Sequence, residues 1–366
     1  MSISPPRHTS SIAIMIGQLS RDGSEGQMYA FLEHCDRERW TPMVFVSGEL
    51  GPLTDPIREL GIPVTLLHGN PGTKMWQFRH LCKIKGVRRF FSWSAYTNGY
   101  GLALRGLDIP CLGSFRNDYT ARSMGRFGWL RSRMSLAALS TIVCNSPETA
   151  DSVRSRVGKR KRVVFIPNSV RPVGNVELCR ARWRQRLEIS ESDVLILGVG
   201  RLTNQKNFAR FIKTVSIVRQ RLPIRAVVAG RDDGLLESLQ QQINASGFEH
   251  GVIELIGPVP DAKELMCAAD VFLLSSDYEG MPNVVLEAMA AGVPCVCTRV
   301  NGVSALIEDG VDGFITDHRA DALAEKVLLL VRDKKLCEEM GSRAAERMKG
   351  SFDPKMTAAR LWQLCE

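Results

Sequence analysis

The chain has 366 residues, 44% of them hydrophobic and 24% charged, a composition that excludes a disordered polymer and suits a globular protein of two domains. No run of about 18 apolar residues occurs, which excludes a transmembrane helix, and the apolar stretch 12–16 is too short for a secretion signal, so a cytoplasmic protein is expected. The net charge of +9 is uneven, with 25 Lys and Arg against 13 Asp and Glu in residues 1–180 and 23 against 26 in 181–366.

Short apolar runs of strand length alternate with helical segments along the whole chain. In the first half the expected strands are 12–17, 43–47, 64–67, 87–91, 110–114, 141–145 and 163–166. In the second they are 194–200, 226–230, 253–257, 271–275, 294–298 and 313–316. Two βα arrays follow, an α/β architecture of two tandem doubly wound Rossmann-like domains. Their strand ends are expected to face a central cleft, where open parallel sheets bind ligands. Residues 1–172 form the expected first domain and 173–350 the second. Between the arrays, 167–193 reads as a linker with a charged helix. The final segment 351–366, amphipathic and opened by Asp353 and Pro354, has no evident place in the second core.

The ten cysteines are scattered and read as reduced, buried thiols. Cys295 and Cys297 lie two apart, which sets both on one face of a strand. The six histidines are far apart and no metal-ligand spacing is present, so neither a metal site nor a cofactor is expected. Between Lys74 and Arg133 stand 12 cations against Asp108 and Asp118, interleaved with aromatics such as Trp76, Phe90, Phe127 and Trp129. That mixture suits an anionic membrane surface, an anionic acceptor or nucleic acid, or else is an ordinary solvated face.

The chemistry-bearing segments follow apolar strands of the second half. Residues 275–302 read SSDYEGMPNVVLEAMAAGVPCVCTRVNG, a strand end, a loop and a helix with Pro282 in its first turn. The helix is expected to run to about Ala291 and to stop at Gly292. Backbone N–H groups over Gly280, Met281, Pro282 and Asn283 would offer an anion site. Glu279 precedes the helix and Glu287 lies one turn in, sharing a face with Asn283 and Val284, so two carboxylates can accept hydrogen bonds from paired sugar hydroxyls. Residues 199–207, VGRLTNQKN, put Arg201 and Lys206 at a strand's C-terminal end. These two cations suit a diphosphate and could neutralise its charge as it departs.

Together these motifs resemble glycosyltransferase family four, retaining, nucleotide-sugar-dependent enzymes of GT-B architecture. AGRDDG (229–234), 255–276, GVDGFI (310–315), CNSPETA (144–150) and FIPNSV (165–170) extend the resemblance over nearly the whole chain. It implies that Arg201 and Lys206 bind the donor diphosphate, Glu279 the sugar and Glu287 the ribose. It also implies that Gly230, Arg231, Gly257 and Val259 line the nucleoside pocket. Gly23 and Gly26, after the first strand, match the family's glycine-rich loop, and the segment from Asp353 would cross back onto the first domain. The implied donor is a UDP-, GDP- or ADP-sugar, and the implied acceptor a glycan or lipid-linked glycan, with contact to anionic membrane through the basic region and no nucleic acid. Two stretches depart from the family: Trp93 and Arg116-Asn117-Asp118 stand where relatives carry histidines, so no general base is assigned. The alternatives are a sugar-nucleotide epimerase on the same architecture, or a non-catalytic membrane- or anion-binding protein with a vestigial cleft.

Overall fold

The computed structural model describes residues 9–20, 22–116, 133, 135–249 and 251–366. Asn117, Asp118, Arg122, Arg126, Phe127, Trp129 and Arg131 lie outside them. The chain divides into two compact units, one of residues 1–168 with 354–366 and one of residues 169–353.

The first unit is built on a seven-stranded parallel sheet: β1 (Ser10–Gln18), β2 (Trp40–Glu49), β3 (Val64–Leu66), β4 (Arg89–Ser92), β5 (Cys111–Phe115), β6 (Thr141–Cys144) and β7 (Arg162–Phe165). The strand order β3-β2-β1-β4-β5-β6-β7 reverses direction between β1 and β4, which marks a doubly wound sheet with helices on both faces. Side-chain alternation along β1 shows why its apolar run is unbroken. Ile12, Ile14 and Ile16 enter one core with Phe31 and Trp93, whereas Ala13 and Met15 enter the other with Phe78 and Cys82.

The C-terminal helix Pro354–Leu364 belongs to this first unit. Trp362 stacks on Phe31 with ring centroids 4.2 Å apart, and its Nε1 donates to the Phe31 carbonyl at 3.1 Å. Arg89 Nε donates to the Cys365 carbonyl at 2.9 Å. The apolar face of this helix is thereby spent on the first core.

The second unit holds six parallel strands, β8 (Leu195–Val199), β9 (Arg225–Ala229), β10 (Ile253–Gly257), β11 (Val271–Leu274), β12 (Cys295–Thr298) and β13 (Gly313–Thr316). Their order is β10-β9-β8-β11-β12-β13. The helices Phe208–Arg219 and Ala320–Arg332 supply Phe211, Val215, Leu323 and Val327 to its core. Cys295 and Cys297 are both fully buried in β12.

The division falls at Asn168/Ser169 and Asp353/Pro354, a few residues from the expected 172/173 and 350/351. The Val170 N–H donates to the Phe352 carbonyl at 2.9 Å, which ties both crossing segments into the second unit. The charged stretch, expected as a linker plus an entry helix, belongs to that unit. Its helix Val176–Arg186 is capped by Asn175, and Arg184 is buried, with NH1 on the Ala268 carbonyl at 2.8 Å and on Asp270 at 3.3 Å.

Candidate functional site

At the C-terminal ends of β8, β9 and β10, three glycines bring the backbones together. Gly200 N–H donates to the Ala229 carbonyl at 2.9 Å and Gly230 N–H to the Gly257 carbonyl at 2.8 Å. A Cβ on Gly230 would sit 1.8 Å from the Gly200 carbonyl oxygen, so no other residue fits there without moving a strand. Past this junction the chain presents Arg201 and Arg231, both well exposed. Arg201 NH1 reaches Asp233 at 3.1 Å and Arg231 Nε reaches it at 3.0 Å. The hydrogen bond from Arg231, then the charges of Arg231 and Arg201, hold the Asp233 carboxyl below its ordinary range. Asp233 has no sequence signal beyond lying in AGRDDG. Val259 is half-buried in the turn after Gly257.

The loop after β8 is laced to the loop after β11. The Asp277 N–H donates to the Gln205 carbonyl at 2.8 Å, Ser275 Oγ to the Lys206 carbonyl at 2.9 Å, and Gln205 Nε2 to the Tyr278 carbonyl at 3.0 Å. Asn207, held at a φ of +47°, caps the Phe208–Arg219 helix through its side-chain oxygen. Its Nδ2 reaches Asp277 at 3.1 Å, and Arg210 NH2 reaches the same carboxylate at 2.7 Å. Within this frame Lys206 Nζ lies 2.6 Å from Glu279 Oε1, the two side chains being 16% and 8% exposed. Ser276 Oγ also donates to Glu279 Oε1 at 2.7 Å. The residues expected to take phosphate and sugar are thus joined to each other. Asn207, Arg210, Ser276 and Asp277 hold them there; the sequence reading missed these four, and for Asn207, Arg210 and Asp277 the reason is that their partners lie some 70 positions away.

Following Glu279, Gly280, Met281 and Pro282 are buried. Gly302, at a φ of +80°, packs so closely that a Cβ would stand 2.6 Å from the Gly280 carbonyl. Pro282 is the cap of the helix Asn283–Ala290 and not a member of its first turn, and no side chain caps this end. Having no N–H, Pro282 cannot donate to an anion, which corrects the expected donor set to Gly280, Met281 and Asn283. Glu287 lies on the half-buried face with Asn283 and Val284. Burial pushes its carboxyl up to about 7, with Asp261 adding to the rise and the charges of Lys263 and Lys206 opposing it.

In the first unit Gly23 and Gly26 are not in a loop. They form the first turn of the helix Gly23–Glu33, with Asp22 at its cap and the Gly26 N–H bonded to the Asp22 carbonyl at 3.0 Å. A Cβ on Gly26 would meet no atom within 4 Å, so internal packing does not demand this glycine. Beside that turn the Trp93 Nε1 donates to the Ser24 carbonyl at 2.9 Å, and the Arg116 guanidinium lies 3.9 Å over the Trp93 ring. Arg116 NH1 donates to Asn168 Oδ1 at 3.0 Å. Burial lowers the Arg116 pKa to about 9 against the pull of Glu25. Trp93 and Arg116, two positions at which the sequence departs from the expected family pattern, thus form a cation–aromatic stack.

Among the described residues, no group of three or more His, Cys, Asp or Glu is gathered as a metal cage, and no helix is long and apolar enough to cross a membrane. The family model "Glycosyl transferases group 1" matches residues 180–347, and the model "Glycosyltransferase Family 4" matches residues 21–172. The chain is 28% identical over 227 residues to the lipopolysaccharide core biosynthesis glycosyltransferase LpsE of Rhizobium meliloti, a match covering 61% of this chain and 63% of that one; it thus spans less than two thirds of that relative. It is 27% identical over 329 residues to the Escherichia coli UDP-Gal:α-D-GlcNAc-diphosphoundecaprenol α-1,3-galactosyltransferase, covering 84% of each. Among solved structures, Anabaena HepE in complex with UDP and glucose superposes with a TM-score of 0.84 at 18% identity, over 97% of this chain and 99% of that one. That likeness establishes the GT-B fold. On the two family models, which between them leave only the two ends and residues 173–179 unmatched, the chain belongs to the group 1, family 4 glycosyltransferases.

Proposed function

We propose that this protein transfers a sugar from a nucleotide-sugar donor to an acceptor hydroxyl with retention of anomeric configuration, in the assembly of a cell-surface polysaccharide or glycolipid. The observation that carries the reading is the buried Lys206–Glu279 pair beside Glu287. A cation and a carboxylate from two laced loops, with a second carboxylate on the helix Asn283–Ala290 that follows, match a ligand that is anionic at its diphosphate and rich in hydroxyls at both ends. UDP is the favoured nucleotide: HepE was crystallised with UDP and glucose, and the Escherichia coli relative is named for UDP-Gal.

In this reading Glu287 accepts from the ribose hydroxyls and Glu279 from the sugar hydroxyls. Arg201 and Lys206 take the diphosphate oxygens, and the N–H groups of Gly280, Met281 and Asn283 add to them. Gly230, Arg231, Gly257 and Val259 border the nucleoside. The C1–O bond to phosphate breaks as the acceptor oxygen bonds to C1 on the same face. The acceptor proton passes to the departing diphosphate, whose charge Arg201 and Lys206 neutralise without a metal. No residue of the first unit is needed as nucleophile or base.

For the acceptor we favour a lipid-linked glycan at an anionic membrane face. The Escherichia coli relative is named for a diphosphoundecaprenol acceptor, and the basic first unit suits such a surface. The test is incubation of the protein with labelled UDP-hexoses and lipid extract under chelator, followed by assignment of the product anomer. An α-linked product from an α-donor supports the proposal. A free altered nucleotide sugar, a β-linked product, or no product despite donor binding overturns it.

A further inference from the structure

The helix Pro71–Ile84 buries Phe78 and Cys82. Positions 76, 80, 83 and 84 fall on its opposite side. There Trp76 is 64% and Ile84 68% exposed, and the Trp76 ring stacks on His80 with centroids 5.2 Å apart and planes 6° from parallel. Large apolar groups left in water on one helix face call for a partner.

Along the chain the charge here is of one sign. No Asp or Glu occurs between Glu59 and Asp108, a span that contains the whole helix, β4 and the neighbouring segment Asn98–Leu104. Within it Lys74, Arg79 and Arg89 are engaged by the carbonyls of Ser47, Ala103 and Cys365. Lys83, Lys85 and Arg88 are exposed and have no carboxylate partner among the described residues. A tryptophan and an aliphatic side chain on a convex helix, with flexible cations beside them, match a bilayer interface: the ring sits at headgroup depth, Ile84 enters the acyl boundary and the cations meet anionic headgroups.

We infer that this face, formed by Trp76, His80, Lys83 and Ile84 with Lys85 and Arg88, is the surface by which the protein docks on an anionic lipid bilayer. The inference rests on the membrane-presented acceptor proposed above and assigns the contact to one helix, not to the whole basic region.

The test is cosedimentation of the full chain with equimolar phosphatidylcholine–phosphatidylglycerol vesicles and with pure phosphatidylcholine vesicles. Wild type should partition onto the anionic vesicles. Trp76→Ala/Ile84→Ser should weaken partitioning about tenfold, and Lys83→Glu/Lys85→Glu at least about 25-fold, since each headgroup-facing cation contributes about fivefold. Leu178→Ser, an exposed apolar position of the second unit, should bind as wild type, and donor binding by all variants should be unchanged. Wild-type binding with undiminished binding by both double variants overturns the assignment of this face and leaves the membrane reading standing. No wild-type binding to either vesicle overturns both. A dimer that Trp76→Ala/Ile84→Ser dissociates would give the face to a second copy of the chain and overturn the bilayer assignment.

Discussion

Lys206 and Glu279 meet at 2.6 Å in a setting where neither side chain is more than 16% exposed. Each therefore neutralises the other until a ligand offers both a better arrangement, phosphate oxygens for the ammonium and hydroxyl donors for the carboxylate. Removing one partner of such a pair leaves the other as an uncompensated charge. Lys206→Ala is expected to lower turnover by roughly two orders of magnitude, as for loss of a transition-state donor, and also to destabilise the second unit by about 3 kcal/mol. Lys206→Ala/Glu279→Ala should recover much of the stability and none of the activity. Thermal melts beside turnover measurements separate the two effects; full activity in Lys206→Ala would contradict the assignment.

Arg201 offers the contrast. Its side chain is 46% exposed and its ion pair with Asp233 is a surface one, which contributes little to folding. Arg201→Ala should lower turnover at least about tenfold while the melting temperature stays close to wild type. Near-normal turnover would remove Arg201 from the phosphate site.

Glu287 is a carboxyl that the fold holds partly protonated at neutral pH, since burial lifts it to about 7. The unfolded chain titrates this group near 4.3, so between that pH and 7 the folded state binds the extra proton. Stability is then lost as pH rises through this window and is constant above it. Glu287→Gln should therefore raise the melting temperature at pH 8, by a gain of about 1–3 kcal/mol, and change it little at pH 4. The same variant should bind donor more weakly, because the ribose hydroxyls lose their carboxylate. Wild-type donor affinity should fall as pH drops below 7, and affinity independent of pH from 5 to 8 would count against Glu287 as the ribose acceptor.

Two glycines separate packing from ligand access. Gly230→Ala places a methyl 1.8 Å from the Gly200 carbonyl and should cost about 2–3 kcal/mol in the second unit. Gly26→Ala enters open space in the first turn of a helix and should stabilise by about 0.5 kcal/mol. If backbone approach by substrate is what requires Gly26, this more stable variant has a raised KM. An unchanged KM would show the position to be indifferent to ligand.

All thirteen strands of the described residues fall within three residues of the expected runs because parallel strands buried on both faces need unbroken apolar sequence, as in Ile12 to Ile16. Cys295 and Cys297 were legible for the same reason. Features that depend on partners distant in the chain were not. The charged helix around Arg184 reads as an entry helix to the second domain, but its burial shows only when Asp270 and the Ala268 carbonyl are seen to receive its guanidinium. Much of the basic excess is bound by neutral carbonyls, such as that of Ser47 under Lys74, which no charge count reveals. In the site, the spacing of the motifs together with the family resemblance singled out Arg201, Lys206, Glu279 and Glu287 as candidates. That Lys206 pairs with Glu279, and that Asn207, Arg210 and Asp277 brace the two loops, emerges only when β8 and β11 lie side by side.

The most direct test of the central claim, that the second unit binds a nucleotide diphosphate-sugar through Lys206, Glu279 and Glu287 without metal, is calorimetric titration of UDP and UDP-glucose into the full chain under chelator. The expected result is saturable binding of both, weakened at least about tenfold by Lys206→Ala, with Glu279→Gln reducing affinity for UDP-glucose much more than for UDP. Metal-dependent binding, or binding indifferent to all three residues in a well-folded protein, would contradict it.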